Sequence, residues 1–366
     1  MRIVNVIQCT NLGGMEQASL RLMVGLKEKG HSCEVVSLNL LGDLVPLLKD
    51  QDIPVVGLPY LGKWGLRSFF KVRRTLLDTH ADAMLMTGHN LFAMLAIGNL
   101  CRGRRVLAVH FHHTGVKPIW QWRLIYRLAC SRFQAITFPS DFVRQEAEAI
   151  YPPVKRIAHT VYNPLPVWST PTPQERHNAR LSLGLPINAQ IIGNAGWLIP
   201  RKRFDVFLRT AKLILRKVPD ALFLIAGDGE ERTNLGALAR ELNISDRVIW
   251  LGWQKEMSKF YHCLDVMLFN SDWDAVGLAP LEAISYGVPL VASVQQGGLK
   301  EILNKSDYSF LISDHAIEVL ADKTVYYLHH PQEAQTAALL GRQRIAEVSD
   351  TQRIVGKIEA FMSANQ

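Results

Sequence analysis

Asp274 and Glu282 stand eight positions apart on either side of Gly277-Leu278-Ala279-Pro280. Proline is tolerated in a helix only in its first turn, so the spacing predicts a helix beginning near Gly277. Asp274 then lies on the loop ahead of the helix and Glu282 on the helix itself. An acid ahead of a helix can accept hydrogen bonds from sugar hydroxyls, and a second acid over a turn later can grip a ribose diol. The free N–H groups between them, at Gly277 and Leu278, can hold phosphate oxygens. One such element could organise a nucleotide sugar, though the spacing equally suits a capping aspartate and an exposed helical glutamate.

Other segments carry compatible chemistry. Gly196 is followed by Arg201-Lys202-Arg203, three adjacent cations just before a helix-period segment, which suits a diphosphate or a merely solvated charge run. Gly227-Asp228-Gly229 ends another apolar run in a sharp turn, which can also let a nucleotide approach the backbone. Gly13-Gly14 precedes a helical pattern where a phosphate would be a natural guest; without the full dinucleotide glycine fingerprint, a tight turn is the alternative. His110 follows an apolar run and could hydrogen-bond or move a proton near a sugar, or serve as a structural loop histidine. Asp272-Trp273-Asp274 spells a D-x-D triplet, but Asp50-Gln51-Asp52 has the same spelling, and no metal is expected at either.

These residues need a scaffold that brings strand ends together. Short β-branched runs recur at 3–7, 34–38, 54–58, 83–86, 105–109 and 135–138, and again at 190–194, 222–226, 248–251, 266–269 and 289–292, with helix-period segments between several of them. That rhythm predicts parallel sheets, whose ligands sit beyond the carboxyl ends of the strands. It pauses at residues 163–173, where Pro164, Pro166, Pro171 and Pro173 disfavour helix and central strand alike. The expected organisation is a first domain at 1–163, a linker at 164–173 and a second domain at 174–347. A C-terminal helix at about 348–366 is expected to pack back on the first domain.

A chain of 366 residues, 48% of them apolar and 20% charged, suits two globular domains rather than disorder or a rod. The formal charge of +8 favours anionic partners without choosing among them. Five scattered cysteines form no C-x-x-C pair, so neither a disulfide framework nor a zinc site is expected, and a reducing cytoplasm fits. The amino-terminal run turns polar by Gln8, unlike a signal peptide, and residues 91–101 are too short to cross a bilayer.

Taken in order, Gly13-Gly14-Met15-Glu16, His110, Asn163-Pro164, the 196–205 loop, Gly227-Asp228-Gly229, the acid pair and Gly297-Gly298-Leu299-Lys300-Glu301 resemble the retaining glycosyltransferases of family 4. The resemblance implies the GT-B fold, an α/β architecture of two doubly wound, Rossmann-like domains facing a central cleft. It implies that the second domain binds a sugar nucleotide, expected to be a UDP-sugar acting as co-substrate with no other cofactor. Lys202 would neutralise the diphosphate, Gly14 would approach it from the first domain, Glu282 would hold the ribose, and Asp274 would orient the sugar with His110 nearby. Arg201, Gly227, Gly277 and Leu278 complete the expected donor site. The leaving diphosphate would help deprotonate the acceptor on the same face of the sugar, so configuration is retained without a protein nucleophile. Two departures stand out: Asp274 replaces the family's first Glu, and Trp197 occupies the place of a loop arginine whose charge Arg201 or Arg203 could supply.

Residues 60–134 hold twelve cations, among them Lys63, Arg67, Lys71, Arg74, Arg102, Lys117, Arg123 and Arg127, against only Asp78 and Asp82. Trp64, Phe69, Phe70, Trp120, Trp122 and Tyr126 interleave with them, a composition that suits an anionic inner leaflet and a lipid-linked glycan acceptor, such as a cell-surface polysaccharide or lipopolysaccharide precursor. Core aromatics beneath solvated arginines are the alternative. No nucleic-acid motif accompanies the charge. Two other functions would share the framework: a sugar-nucleotide epimerase, and a non-catalytic partner in glycan assembly.

Overall fold

The computed structural model describes residues 1–11, 13–58, 66–97, 104–109, 113, 116–304, 309–312 and 314–363. The chain divides into two units, Met1–Leu165 with Ser349–Gln366, and Pro166–Val348.

The first unit is built on parallel strands β1 (Arg2–Ile7), β2 (Ser32–Ser37), β3 (Val55–Gly57), β4 (Ala83–Thr87), β5 (Arg105–Ala108), β6 (Ala135–Phe138) and β7 (Ala158–Thr160), in the order β3-β2-β1-β4-β5-β6-β7. Ile3, Val4, Val6 and Ile7 of β1 are all buried, so both faces of the strand are covered and its sequence is almost continuously apolar. The helix Gly14–Glu28 covers one face through Leu22, Met23 and Leu26, and the chain leaves it at Gly30, with φ +85°. The helix Thr351–Ser363 adds Ile354, Val355, Ile358 and Met362 to the same core. A Cβ on Gly25 would come within 2.6 Å of Val355, so the absent side chain lets the two helices meet.

The second unit has strands β8 (Ile191–Ala195), β9 (Leu222–Ala226), β10 (Val248–Gly252), β11 (Val266–Asp274), β12 (Leu290–Gly297) and β13 (Phe310–Ile312), in the order β10-β9-β8-β11-β12-β13. All pairings are parallel. The helix Phe204–Lys217 packs Phe204, Phe207, Leu208, Ala211 and Ile214 against Phe223, Ile225 and Leu268 of the sheet.

The structure corrects the sequence reading at three places. β11 continues through the polar residues Asn270, Ser271 and Asp272, so Asp274 is the last residue of a strand and not a loop residue; it pairs with Gly297 because β12 is extended to match. Pro173 is not linker but the first residue of the helix Pro173–Ser182, whose start Thr172 and Glu175 secure with a capping box. β7 and β13, which the runs read from the sequence omit, each close one edge of their sheets.

Candidate functional site

The candidate side chains of the second unit lie at and just beyond the ends of its strands. After β8 the chain makes a short 3₁₀ turn, Pro200–Lys202, and Lys202 Nζ donates to Asp274 Oδ2 at 2.6 Å. The two side chains are 12% and 13% exposed, so this is a nearly buried ion pair. Burial pulls the pKa of the Lys202 ammonium below its ordinary value; Asp274 opposes that shift and Arg201 adds to it. Arg201 lies over the Trp273 ring at 4.3 Å, donates to the Trp273 carbonyl at 3.1 Å and approaches Asp274 Oδ1 to 3.5 Å. Lys202, Arg201 and Asp274 therefore form one cluster.

Gly277, with φ +81°, lets the chain turn into the helix Leu278–Ser285, whose first residue is Leu278. Glu282 lies one to two turns along and accepts a hydrogen bond from Tyr261 at 3.0 Å. Tyr261 stacks on Tyr286, and Tyr286 on Trp168, so an aromatic column sets the height of the carboxylate.

Gly227 has a packing reason to be glycine. Its φ is +140°, and a Cβ there would lie 1.9 Å from the Gly196 carbonyl oxygen, so the neighbouring loop fills the space. Backbone bonds from Gly196 to Ala226, Leu198 to Asp228 and Gly227 to Gly252 join the loops after β8, β9 and β10. These loops carry Trp197 and Trp253 outward as a half-exposed pair, edge to face at 4.7 Å. Arg203 donates to both oxygens of Asp205 and to Asp272, whereas Arg201 donates to the Trp273 carbonyl and approaches Asp274.

The D-x-D acids are each engaged with cations, Asp272 with Arg203 and Asp274 with Lys202 and Arg201. Among the described residues no cluster of three or more metal-ligating side chains occurs. A cavity of about 340 Å³ behind the turn is lined by residues including Ile199, Arg203, Asp205 and Asp272 and not by Lys202, Asp274 or Glu282.

In the first unit Gly14 opens the first helix after β1, with Gly13 as its N-cap. The Glu16 side chain folds over Gly13 and accepts from Cys9 Sγ at 3.3 Å; burial pushes its carboxyl above the usual range. His110 lies outside the described residues. His113, three residues on, is buried against Tyr126, with Glu146 at 3.3 Å from its Nδ1. Trp122 and Tyr126 are fully buried, which removes them from the group of surface aromatics expected from sequence; Phe70 and Trp120 remain strongly exposed. Lys63, Trp64 and Arg102 of that group lie outside the described residues.

Sequence reasoning missed Tyr261, which lies on another helix 21 residues before Glu282 with no local signal linking them. It also missed the link from Asp272 to His315, 43 residues apart in the chain with no local signal joining them.

Two family models match the chain: Glycosyltransferase Family 4 over residues 12–167 and Glycosyl transferases group 1 over residues 175–344. An uncharacterized glycosyltransferase of Haemophilus influenzae is 24% identical over 339 residues, 89% of this chain and 90% of the relative. A UDP-Gal:alpha-D-GlcNAc-diphosphoundecaprenol alpha-1,3-galactosyltransferase of Escherichia coli is 33% identical over 139 residues, 37% of this chain and 36% of the relative. The crystal structure of Anabaena HepE in complex with UDP and glucose superimposes with a TM-score of 0.87 at 18% identity, covering 100% of both chains. With two doubly wound sheets, a cation turn facing an acid at one strand end, and family models matching both halves, this chain belongs to glycosyltransferase family 4 and has the GT-B fold.

Proposed function

We propose that the protein transfers a sugar, with retention of configuration and without a metal, from a UDP-sugar to a lipid-linked glycan acceptor. Such acceptors include precursors of cell-surface polysaccharide or lipopolysaccharide. The carrying observation is the Lys202–Asp274 pair at the carboxyl edge of the second sheet, followed by a helix bearing Glu282. A diphosphate arriving at the turn competes with Asp274 for the Lys202 ammonium. Once drawn away, Lys202 and Arg201 neutralise charge that grows on the leaving group, and Asp274 is released to accept from the sugar hydroxyls. Glu282, oriented by Tyr261, takes the ribose diol. Catalysis rests on positioning and on stabilising the departing diphosphate, which takes the acceptor proton on the same face of the sugar. The UDP-sugar assignment is supported by the UDP in the HepE complex and by the donor named for the Escherichia coli relative, whose name also gives a lipid-linked acceptor.

Acceptor recognition falls to the first unit. The helix Ile119–Arg132 exposes Ile119, Trp120 and Leu124 beside Arg123 and Arg127, and the helix Leu66–Asp78 exposes Phe70 and Leu77 beside Arg67, Lys71 and Arg74. Apolar side chains set among cations fit peripheral attachment to an anionic cytoplasmic leaflet. No helix among the described residues is long and apolar enough to cross a membrane.

A thermal-shift screen of nucleotide sugars tests the reading. A true donor raises the melting temperature by mass action, and Glu282→Ala abolishes the largest shift. Absence of any shift across UDP-, GDP- and ADP-sugars would refute it.

A further inference from the structure

Arg203 adopts φ +47° and ψ +43°, the left-handed region, at the junction between the Pro200–Lys202 turn and the helix Phe204–Lys217. A residue with a Cβ holds this conformation only where its surroundings enforce it. Here the guanidinium is fastened on both sides. Nε and one terminal nitrogen fork onto Asp205 at 3.0 and 3.1 Å, and the other terminal nitrogen reaches Asp272 Oδ1 at 3.1 Å. Asp272 is fastened in turn, because His315 Nε2 meets the same Oδ1 at 3.0 Å and His315 Nδ1 meets the hydroxyl of Ser293, fully buried on β12. An ionised carboxylate only accepts, so Nε2 carries the hydrogen; in the neutral ring Nδ1 then accepts from Ser293.

Asp272 and Asp274 are two residues apart on β11, and Arg203 and Lys202 are adjacent on the turn. The turn is thus tied to the strand by Arg203–Asp272 and by Lys202–Asp274, beside the Arg201 bonds to the Trp273 carbonyl and Asp274. A diphosphate that takes Lys202 undoes the Lys202–Asp274 tie and leaves that of Arg203. We infer that His315 is a positioning residue: through Asp272 it holds Arg203 in the left-handed turn and so presents Lys202 to the donor without touching it. The inference rests on the sugar-nucleotide reading of the Lys202 site.

Glycine enters the left-handed region freely, so Arg203→Gly removes the need for the fastening. The test is a double-mutant cycle on the full chain with His315→Ala, Arg203→Gly and both, reading the melting temperature without ligand and the Kd of UDP by calorimetry. In the parent background, with Arg203 in place, His315→Ala is expected to weaken UDP about 10-fold and to lower the melting temperature by about 3 °C. In the Arg203→Gly background the same change is expected to move Kd less than about 2-fold and the melting temperature by about 1 °C or less. Equal losses in both backgrounds, or no loss in either, would overturn the inference. If UDP does not bind the unmodified protein, the sugar-nucleotide reading fails and the positioning role with it, while the melting-temperature cycle still reports whether His315 fastens Arg203. If His315→Ala does not fold, Asp272→Asn, which keeps the side-chain shape and weakens both bonds, runs the same cycle.

Discussion

Lys202 Nζ lies 2.6 Å from Asp274 Oδ2, joining the turn after β8 to the last residue of β11. With both side chains close to fully buried, neither charge has much water to fall back on. Removing one partner strands the other, a change that costs about 3 kcal/mol in comparable buried pairs. Asp274→Ala is expected to lower stability by about that amount in urea unfolding and to abolish transfer. Unchanged stability would mean that the pair is solvated in solution.

Tyr261 holds Glu282 by one hydrogen bond between side chains on different helices. Tyr261→Phe deletes that donor and keeps the ring stack on Tyr286. Donor affinity is expected to fall about 10-fold, the lower end of the worth of one hydrogen bond to a charged group, with the melting temperature little changed. Isothermal titration with the donor found in the screen measures it, and an affinity equal to the parent's would show that Glu282 is oriented by other contacts.

The first unit carries its own acid sensitivity. His89 packs against Trp122, and burial, aided by Lys117 and His113, pulls its pKa down to about 4. The unfolded chain binds a proton near pH 6.5, whereas the folded one waits until about pH 4. Over that window the unfolded state holds more protons, so stability falls as the pH drops from about 6.5 to 4, by at most about 3 kcal/mol. The His89→Gln variant is expected to lose less stability across the window. Parallel pH profiles for variant and parent would contradict the assignment.

Trp120 and Arg123 lie on the exposed face of the helix Ile119–Arg132. Flotation with vesicles containing anionic lipid is expected to recover more protein than flotation with neutral vesicles, and more at low salt than at high. The double variant Trp120→Ser, Arg123→Glu is expected to cut that recovery several-fold. Equal recovery from both vesicle types would count against membrane attachment.

Much of the framework was legible because it follows local rules. Runs such as 135–138 and 222–226 coincide with β6 and β9, since strands buried on both faces are continuously apolar. Gly277 could be read as the helix start because Pro280 fixes the first turn. What escaped depends on neighbours distant in sequence. Asn270, Ser271 and Asp272 do not look like strand, and only pairing with β12 keeps them extended as far as Asp274. The 201–203 run was visible as charge, but nothing local says that Lys202 faces Asp274 while Arg203 faces Asp205 and Asp272. Gly227 was legible as a turn glycine, but the approach of the Gly196 carbonyl that it admits was not.

The Lys202 turn is expected to grasp a nucleotide diphosphate, and calorimetric titration of UDP into the parent protein and into Lys202→Met measures whether it does. Methionine keeps the apolar stem and removes the charge, so the expected result is saturable binding by the parent and a loss of at least about 10-fold in the variant, reflecting one buried charge-assisted contact. Equal affinities would show that the turn does not hold the diphosphate.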